Sequence, residues 1–490
     1  MNKIIIIGGG ISGLSAGIYA QKYGFESVVY EKNSFLGGEC TAWTKKGYHI
    51  DACIHWLTGT KEGNALNSMW NDIGVLGDVG IQRLKTFATV NYDGIIVKLY
   101  RDINKIKKHF LEIAPEDEGE IIKFCRYIKA FANFHMPSNK PFEHMSILEI
   151  FSFFISMIGP GKYLKDLSKI TIGEYVKRFK NPALRIAIQS KFPSNLSAHT
   201  LIVILAAFIS GNADIPVGGS RAMAKRMEDK YKSLGGKVSL NKEVTEIIVK
   251  DNSAKGVIFK DGEEVYSNYI IPACDLNITM KKLLKDKYKV PEFEEKFKNT
   301  DKYPIYSALF IALGVDADLS SYSPNYYFKT DKYDFENYQK EIITMKHYCY
   351  EASFAPKGKS VVTIPIIANY QWWKNKYKNI DVYREEKKRL AYTIIDRIEK
   401  HIPMLKDKIE LLDIATPMTY ERYFSAYRGS WMSFGITPES KRFRNNGKIE
   451  GLKNLYLAGQ WLFSPGGLSG AAVSGKFAIQ RLCKEIKIKI

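Results

Sequence analysis

The chain has few cysteines, and no two of them are closely spaced. Its 490 residues contain six, at positions 40, 53, 125, 274, 349 and 483. A C-x-x-C or C-x4-C pair would point to a dithiol redox centre, and closely spaced cysteines in a short chain would point to a disulfide scaffold. Neither pattern is present in the sequence. We therefore expect a chemistry that does not depend on thiols.

The sequence also lacks an apolar run long enough to cross a bilayer. Its two strongest apolar stretches are "SILEIFSFFISMIG" (146–159) and "TLIVILAAFISG" (200–211), and both fall short of the ~20 residues that a spanning helix needs. The favoured interpretation of both is a core helix or the wall of a substrate tunnel. The first has Lys140 before it and Lys162 and Lys165 after it, so contact with a membrane surface is an alternative.

A concentrated basic cluster is missing as well, although the chain is strongly cationic. Lys and Arg outnumber Asp and Glu by 72 to 52, for a formal net charge of +20. No nucleic-acid module is recognisable, so no nucleic-acid partner is predicted. A lysine-rich solvated surface is the ordinary interpretation, and attraction to anionic lipid stays open. Because a predicted strand begins at Lys3, we expect no cleaved leader and a cytoplasmic location, with peripheral contact to the inner membrane face as an option.

The chain opens with "MNKIIIIGGGISGLSAG", in which four isoleucines precede three glycines. An unbroken β-branched run predicts a strand buried on both faces, over Lys3 to Ile7. The spacing of Gly8, Gly10 and Gly13 is G-x-G-x-x-G, and a helix is predicted over 11–23. This context is typical of dinucleotide binding: the glycines permit a sharp turn, approach of a pyrophosphate and close packing of the helix.

Two further features extend this site. Glu31 follows a second predicted strand, where its carboxylate can accept hydrogen bonds from ribose hydroxyls and repel a 2′-phosphate. The adjacent Gly37 and Gly38 would let the backbone approach an extended cofactor a second time. The sequence contains no second G-x-G-x-x-G between a strand and a helix, so a separate NAD(P)H domain is not predicted.

The block "GYHIDACIHWLTG" (47–59) alternates polar and apolar residues. As one strand it would place His49, Asp51, Cys53 and His55 on a single face. These are metal-ligand types, but ligands on one flat strand rarely converge on a tetrahedral ion, so no metal site is predicted. The favoured interpretation is a strand that borders the cofactor or substrate cavity. Packing under a loop remains an alternative for His49 and Cys53.

Later segments predict an interleaved arrangement. The middle of the chain is mainly helical. Near residue 211 a mixed pattern of strands and helices resumes, with a helix predicted over 219–233 and a hairpin at Asp261-Gly262. A further helix is predicted near 382–401. In the tail, "NLYLAGQWLFSPGGLSGAAVSG" predicts a strand from Asn454 to Leu457, a glycine-rich loop and a helix beginning near Gly470. The N-terminus of that helix would stabilise negative charge on a reduced isoalloxazine ring.

A nucleotide site divided between the two ends of the chain implies that one domain is inserted into the other. We predict a discontinuous binding domain and a substrate domain with a helical part; the first comprises 1–90, 211–275 and 440–490, and the second 91–210 and 276–439. The predicted fold class is α/β (α+β mixed), a Rossmann-type domain with an interleaved domain that contains a mixed sheet.

Together, "IIIIGGGISGLSAG", Glu31, "GGECTAW", "PVGGSRAMA", "GGKVSLNKEVTEI" and the tail motif resemble a known family. It is the FAD-dependent phytoene desaturase, carotenoid isomerase and retinol saturase family, which has the glutathione-reductase-type FAD fold and is related to amine oxidases. The resemblance extends over nearly the whole chain and is most specific at both ends. The helical middle carries little diagnostic sequence.

The resemblance implies FAD as the cofactor and a set of residues that bind it. Gln460 is a departure, since many related flavoproteins carry aspartate there, and it favours the desaturase-like branch over amine oxidases. The implied cofactor-binding residues are Gly8, Gly10, Ile11, Ser12, Gly13, Gly17, Glu31, Lys32, Gly37, Gly38, Glu39, Val244, Gly459, Gln460, Gly467, Leu468 and Ala471.

The resemblance also implies a reaction on carbon–carbon bonds of a long apolar substrate such as a carotenoid, a retinoid or an unsaturated lipid. Desaturation, saturation and cis–trans isomerisation are all compatible with it. The candidate catalytic residues are His55 and Trp56 near the ring, with Tyr423, Arg428 and Trp431 as a second wall. Each of the five has a packing alternative. The electron donor or acceptor would be NAD(P)H or a carrier protein without a dedicated domain.

Two other functions stay open at this point. A flavin amine oxidase would act on a C–N bond and would show an aromatic cage near the C-terminal motif; Trp461 and Phe463 favour it, whereas Gln460 and the apolar middle do not. A non-catalytic FAD- or lipid-binding protein would keep the cofactor for stability alone.

Overall fold

The isoleucine run after Lys3 forms a strand at the centre of a parallel sheet, as predicted. The computed structural model describes residues 2–134, 137–441 and 445–489. Its strands, in chain order, are β1 (Lys3–Ile7), β2 (Glu26–Tyr30), β3 (Ala42–Lys45), β4 (Tyr48–Asp51), β5 (Leu57–Thr58), β6 (Ile81–Gln82), β7 (Thr86–Tyr92), β8 (Ile95–Tyr100), β9 (Ala213–Pro216), β10 (Lys237–Ser239), β11 (Val244–Lys250), β12 (Ser253–Phe259), β13 (Glu264–Tyr266), β14 (Tyr269–Pro272), β15 (Ser307–Val315), β16 (Asn325–Phe335), β17 (Tyr338–His347), β18 (Ser360–Ala368) and β19 (Ile409–Ala415).

The helices connect and cover these strands. They are α1 (Ile11–Lys22), α2 (Ala65–Asp72), α3 (Ile103–Ile113), α4 (Glu118–Phe131), α5 (Ile147–Ser156), α6 (Ile158–Leu167), α7 (Ile172–Val176), α8 (Pro182–Gln189), α9 (Ala198–Ile209), α10 (Gly219–Ser233), α11 (Leu276–Ile278), α12 (Pro291–Lys298), α13 (Tyr370–Tyr377), α14 (Ile380–His401), α15 (Pro417–Phe424) and α16 (Leu468–Glu485). The helices predicted over 219–233 and near 382–401 are confirmed.

The first sheet has the strand order β10-β2-β1-β14, with parallel pairing throughout. Residues 4–7 of β1 are buried, and alternate side chains enter two different cores. Ile4 and Ile6 belong to the core that includes α1, while Ile5 and Ile7 belong to the core beneath β11 and β12. A continuous apolar run is therefore required, because neither face of β1 meets water.

Helices α1 and α16 pack closely, although one lies near the start of the chain and the other near its end. The Ser12 and Ser474 hydroxyls are 3.0 Å apart, and Ser15 Oγ donates to the Ala472 carbonyl at 2.7 Å. Gly475 permits this approach, because a Cβ atom there would lie 2.2 Å from the Ser12 carbonyl oxygen. The two ends of the chain thus complete one nucleotide-binding unit.

The strand predicted from Asn454 to Leu457 is wrong. Leu455 makes an isolated bridge to Ile270 of β14, and the preceding Lys453 makes another to Ser253 of β12. Asn454 has a φ of 61°, a left-handed conformation that interrupts an extended ladder. The helix that follows begins at Leu468, close to its predicted start.

The second large sheet is mixed, with the order β19-β15-β18-β17-β16-β7-β8. Its pairs are antiparallel except for the parallel pair β16 and β7. Strand β7 begins at Thr86, inside the segment 1–90 that we assigned to the first domain. The proposed domain boundaries stay a prediction.

The two apolar stretches of the middle region have opposite environments. Helix α9 is a core helix, as predicted, with Leu201, Ile202 and Leu205 fully buried. Helix α5 has no buried residue, so its prediction as a core helix is wrong: Ile147 is 85% exposed and Phe151 is 63% exposed. Among the described helices, none alone has the length and composition of a membrane span, and only α5 with α6, bent by 64° at their junction, reaches them as a pair.

The prediction of one strand through His49, Asp51, Cys53 and His55 is also wrong. Strand β4 ends at Asp51, whose carboxylate accepts hydrogen bonds from the backbone N–H groups of Cys53 and Ile54 at 3.1 and 3.3 Å. The same carboxylate accepts from the Ser220 N–H and hydroxyl, at 2.7 and 2.6 Å. These bonds turn the chain after β4 and fix it to the start of α10.

Candidate functional site

The predicted ribose end of the site is organised around Glu31, directly after β2. Its carboxylate is nearly buried and accepts hydrogen bonds from the Gly9 N–H at 2.8 Å and the Asn33 N–H at 2.9 Å. Residues before Val244 lie alongside, since the Lys242 N–H donates to the Glu31 carbonyl at 2.9 Å. Lys32 points elsewhere, and its Nζ donates to Ser425 Oγ at 2.6 Å. Glu31 and the segment before Val244 are thus brought together.

The glycine turn is shaped to accept a phosphate group. Gly8 has a φ of 99°, and a Cβ on Gly13 would lie 2.0 Å from the Gly8 carbonyl oxygen. At Gly10 a Cβ would meet nothing closer than 3.9 Å, so this side of the turn is open. Helix α1 has no side-chain cap and no acidic residue in its first turn, so its N-terminal amides are available to an anion.

Gly37 and Gly38 bring a second loop against this turn. The Gly37 N–H donates to the Gly9 carbonyl at 2.9 Å, and Gly10 and Gly37 form a parallel bridge. A Cβ on Gly38 would lie 3.2 Å from the Gly10 Cα, which explains why a side chain is absent there. The sequence predicted an approach of Gly37 and Gly38 to the cofactor, and that role stays a prediction.

The C-terminal part of the site is held by side chains as well as by glycines. Gln460 Oε1 accepts from the Gly467 N–H at 3.0 Å, and the Gly459 N–H donates to Ser474 Oγ at 2.8 Å. Gly467 precedes α16 with a φ of 106° and open space where a Cβ would be. Like α1, helix α16 begins without a side-chain cap, and Leu468 and Ala471 lie in its first turn. These features fit an extended anionic dinucleotide such as FAD between the two helix N-termini.

Two acids lie between the halves of this site, of which Asp275 is buried and Glu39 is partly buried. Burial raises the pKa of Glu39 to about 8, and the nearby Asp275 carboxylate contributes in the same direction. Burial raises the pKa of Asp275 to about 6, against the hydrogen bond that it accepts from the Tyr427 N–H at 2.9 Å. Glu39 therefore carries a proton at neutral pH and adds little negative charge next to an anionic cofactor.

The segment from Ile54 to Thr58 links the start of α16 to a cavity. Ser469 Oγ, in the first turn of α16, donates to the Thr58 carbonyl at 3.1 Å. Strand β5 pairs with β9, which brings residues 213–215 beside it. His55 and Trp56 lie directly before β5 and line the cavity.

The cavity combines an aromatic wall with a few charged groups. The Trp56 ring lies 5.7 Å from the Phe87 ring and 6.5 Å from the Phe192 ring, measured between centroids. Burial holds the pKa of His55 well below its usual value, assisted by the ammonium groups of Lys346 and Lys191, so its imidazole is neutral at neutral pH. The lining residues are His55, Trp56, Gln82, Leu84, Phe87, Arg101, Lys191, Phe208, Ala213, Asp214, Ile215 and Asn325.

The other three candidate catalytic residues lie elsewhere among the described residues. The Tyr423 carbonyl accepts from Asn33 Nδ2 at 3.1 Å, which places it at the ribose end. Arg428 has a φ of 56° and its carbonyl accepts from Ser307 Oγ. The Trp431 ring stacks on Tyr306 at 6.4 Å between centroids. None of these three lines the cavity with His55 and Trp56, and their catalytic roles stay predictions.

The aromatic pair that favoured an amine oxidase is not an open cage. Trp461 is buried, and its ring packs 5.2 Å from Phe297 and 4.9 Å from Phe434, between centroids. The Phe463 ring is 6.5 Å from that of Phe477. Trp461 thus belongs to the core beside β11 and β12.

Several polar residues of the cavity were not predicted from the sequence. Lys191 and Lys346 are two of 72 cationic residues, and no local motif distinguishes them. Arg101 Nη2 pairs with Asp214 Oδ1 at 2.5 Å, across 113 positions of the chain. Only the fold brings these groups to His55.

The fold also brings two cysteine side chains together, those of Cys40 and Cys53. The Cys53 thiol lies within hydrogen-bond reach of Cys40, and this contact together with burial raises the pKa of Cys40 well above its usual value. A raised pKa disfavours the reactive thiolate. The described His, Cys, Asp and Glu side chains include no group of three that could hold a metal ion.

Comparison with known proteins places this geometry in a family. The family model described as flavin containing amine oxidoreductase matches residues 11–483. Prolycopene isomerase 1 of an Oncidium hybrid cultivar is 24% identical, with 99% of this chain and 84% of that protein covered. The all-trans-retinol 13,14-reductase of Danio rerio is 25% identical (97% and 86% covered), and the neurosporene-forming phytoene desaturase of Rhodobacter capsulatus is 25% identical (98% and 94% covered).

Solved structures show the same fold. An oxidoreductase from Methanosarcina mazei superposes with a TM-score of 0.62 at 16% identity, covering 98% of this chain and 99% of the other. Wild-type putrescine oxidase bound to putrescine superposes with a TM-score of 0.61 at 13% identity, covering 100% and 99%. These likenesses confirm the fold class predicted from the sequence.

Proposed function

Because this chain belongs to the flavin containing amine oxidoreductase family, we propose that it is an FAD-dependent oxidoreductase acting on carbon–carbon bonds of a long apolar substrate. The reaction class is desaturation, saturation or cis–trans isomerisation. Relatives named as a prolycopene isomerase, a retinol 13,14-reductase and a phytoene desaturase support this class, and each is similar over nearly all of this chain. Their named substrates suggest a carotenoid, a retinoid or an unsaturated lipid.

The aromatic wall of the cavity carries this proposal. Trp56 and Phe87 line the cavity and the Phe192 ring packs against both, with ring centroids 5.7–6.5 Å apart. Such a surface can stack against part of a polyene and can exclude water from it. The wall leads through β5 to the first turn of α16, where the site predicted for the flavin end of FAD begins.

Few of this chain's residues need to take part in proton transfer. When bound, FAD supplies a hydride donor or acceptor at its N5 atom. The protein's task is then to hold a double bond close to that atom and to keep water out. The neutral His55 imidazole adds no charge at the cavity wall, and Trp56 can orient the apolar chain.

Amine oxidation is less well supported as a function. Trp461, the residue that would form an aromatic cage, is packed against Phe297 and Phe434 in the core. The putrescine oxidase likeness, at 13% identity, concerns the fold. For electron exchange we propose NAD(P)H or a carrier protein, tested by whether NADH or NADPH bleaches the flavin absorbance under anaerobic conditions.

The reaction is tested by product mass. The purified holoenzyme, with its flavin either reduced or oxidised, is incubated anaerobically with carotenoids, retinoids and unsaturated lipids. Gain of two hydrogens identifies a saturase, loss of two a desaturase, and unchanged mass with a moved or inverted double bond an isomerase. Absence of product in both flavin states, together with oxidation of amines, would overturn the proposal.

A pair of variants locates the reaction in the cavity. We expect Trp56→Ala to lower kcat/KM by about tenfold or more, because an aromatic contact with the substrate worth about 1.5 kcal/mol is lost. Flavin content should stay at the wild-type level. Tyr392→Ala, on an exposed part of α14, is the matched control and should not change kcat/KM. Equal activity of the Trp56 variant and the wild type would place the substrate elsewhere.

We propose that the protein contacts the anionic inner face of the membrane through α5. Six apolar side chains of α5 and the start of α6 are more than half exposed: Ile147, Leu148, Phe151, Phe154, Ile155 and Ile158. The net charge of +20 would add electrostatic attraction to acidic lipid. An apolar substrate dissolved in the bilayer would then be reached directly.

Vesicle flotation tests this contact. The protein should float with vesicles that contain phosphatidylglycerol, and Phe151→Ser with Phe154→Ser should abolish flotation because two aromatic anchors are removed. Tyr392→Ser, another exposed aromatic position, should float like the wild type. Binding that survives the double substitution but is lost at high salt would mean that charge alone is responsible.

A further inference from the structure

We propose that the cavity binds the carboxylate end of its substrate through Lys191, so that the substrate is an acid with a long apolar chain. This inference rests on the proposed function and names the polar group of its substrate. It starts from a cation that the described structure leaves without a counter-charge.

Lys191 follows α8 and lines the cavity beside the aromatic wall. Its Nζ lies 4.7 Å from the centroid of the Phe87 ring and 5.7 Å from that of Trp56. In the part of the chain that the structure describes, its ammonium group makes no ion pair with a carboxylate and no side-chain hydrogen bond. Ring faces attract a cation, but they replace only part of the hydration that burial removes.

The acid of the cavity is engaged by other residues. Asp214 pairs with Arg101 at 2.5 Å and lies 3.6 Å from Arg83 Nε. Lys346, a buried amine in the same region, donates to the Ile54 carbonyl at 2.6 Å. Lys191 and Lys346 both act on His55 as positive charges. Arg101 thus offsets the charge of Asp214, and Lys191 is a lining cation that has no polar partner among the described residues.

Burial lowers the pKa of Lys191 well below its usual value, and the charge of Lys346 adds to this effect. A carboxylate placed beside Lys191 would reverse the shift, because an opposite charge favours the protonated amine. Binding a carboxylic acid would then form an ammonium–carboxylate pair whose proton comes from the acid or from solvent. An alcohol or a hydrocarbon of the same length could not provide that charge.

The apolar residues beside Lys191 determine what chemical character the rest of the ligand has. The apolar part of the lining, formed by Trp56, Leu84, Phe87 and Phe208, suits a hydrocarbon chain, whereas Gln82, Arg101, Asp214 and Asn325 form the polar part. A carboxylate held by Lys191 would fix the position of the chain along the aromatic side of the cavity. The distance from the carboxylate to the reacting double bond would thereby be selected, and acids with the double bond at another position would react poorly.

Binding of matched acids and alcohols tests the proposal without turnover. Isothermal titration of the oxidised holoenzyme compares retinoic acid with retinol and palmitoleic acid with palmitoleyl alcohol. We expect at least one acid to bind about tenfold or more tightly than its alcohol, since a charge-assisted contact is available only to the acid. Equal binding of acid and alcohol in both pairs, or no binding of either acid, would overturn the proposal.

Variants assign the preference to Lys191. In Lys191→Met the preference for the acid should disappear while the alcohol binds as before, and in Lys191→Arg it should be retained. Lys332→Met, an exposed lysine of β16, is the matched control and should keep the wild-type preference. If Lys191→Met does not fold, Lys191→Gln is measured in its place, and a preserved acid preference in either variant would contradict the assignment.

The outcomes separate this inference from the proposed function. If acids bind through Lys191 but no carbon–carbon bond is changed, the proposed reaction is wrong and the binding site stands. If products form from hydrocarbons and alcohols as readily as from acids, the reaction stands and the role of Lys191 is refuted.

Discussion

The contact between α1 and α16 makes a quantitative prediction at Gly475. In Gly475→Ala the new Cβ would lie 2.2 Å from the Ser12 carbonyl oxygen, 2.8 Å from the Ala16 nitrogen and 3.1 Å from Ser15 Cβ. The first two are backbone atoms, so no side-chain rotation can relieve the overlap. The helices must therefore move apart along the line where their hydroxyl contacts lie.

The cost follows from the contacts that this movement affects. Overpacking of a close interface costs about 1–3 kcal/mol. Weakening the Ser12–Ser474 and Ser15–Ala472 hydrogen bonds adds about 1 kcal/mol each. Replacing a helical glycine by alanine stabilises the helix by about 0.5–1 kcal/mol, which offsets part of this loss. We therefore expect the free energy of unfolding to fall by about 2–4 kcal/mol.

The assay is urea unfolding at fixed excess FAD, with flavin content measured by absorbance after gel filtration. Gly475→Ala should unfold at lower urea and retain less FAD, since both helix N-termini change position. Gly119→Ala is the matched control: it lies in α4 with no atom within 4 Å of the added Cβ, and it should be neutral or slightly stabilising. Wild-type stability and FAD content in Gly475→Ala would refute the packing described for the two helices.

Two further predictions concern buried residues, Lys346 near His55 and Trp461 in the core beside β11 and β12. Burial lowers the pKa of Lys346 to about 8, below that of an unfolded lysine, so between about pH 8 and 10 the unfolded chain binds more protons and stability rises with pH. Lys346→Met should show a smaller rise when unfolding free energies are compared across that interval, because other buried lysines such as Lys191 still contribute. An unchanged slope would mean that Lys346 does not contribute. Trp461→Ala should lower the unfolding free energy by about 3–5 kcal/mol without changing which substrates react, because the ring fills the core. Altered substrate choice at unchanged stability would instead mean that Trp461 contacts the substrate.

Sequence reasoning succeeded where the determinants are local. The strand at Lys3–Ile7, the glycine turn after it and Glu31 are encoded within about thirty consecutive residues. Their spacing is imposed by covalent geometry and by the approach of a phosphate, so a pattern in the chain is enough to predict them.

It failed where a distant residue decides the local structure. The alternation from His49 to His55 is compatible with a longer strand, but Asp51 is bound by Ser220, 169 positions away, and the strand ends there. The apolar sequence of α5 likewise cannot distinguish a core helix from an exposed one, because burial depends on what the rest of the chain places against it. No sequence pattern identifies Lys191, because what distinguishes it is that no acid pairs with it among the described residues of the folded structure.

The pairing of α1 with α16 has a consequence for folding of the chain during its synthesis on the ribosome. Ser12 emerges early in synthesis, but its partner Ser474 is added 462 residues later. A chain made at ~5–20 residues per second would wait tens of seconds or longer for that partner. Throughout this interval the apolar face of α1 needs shielding, so a chaperone that holds nascent chains would have its longest task at the first helix.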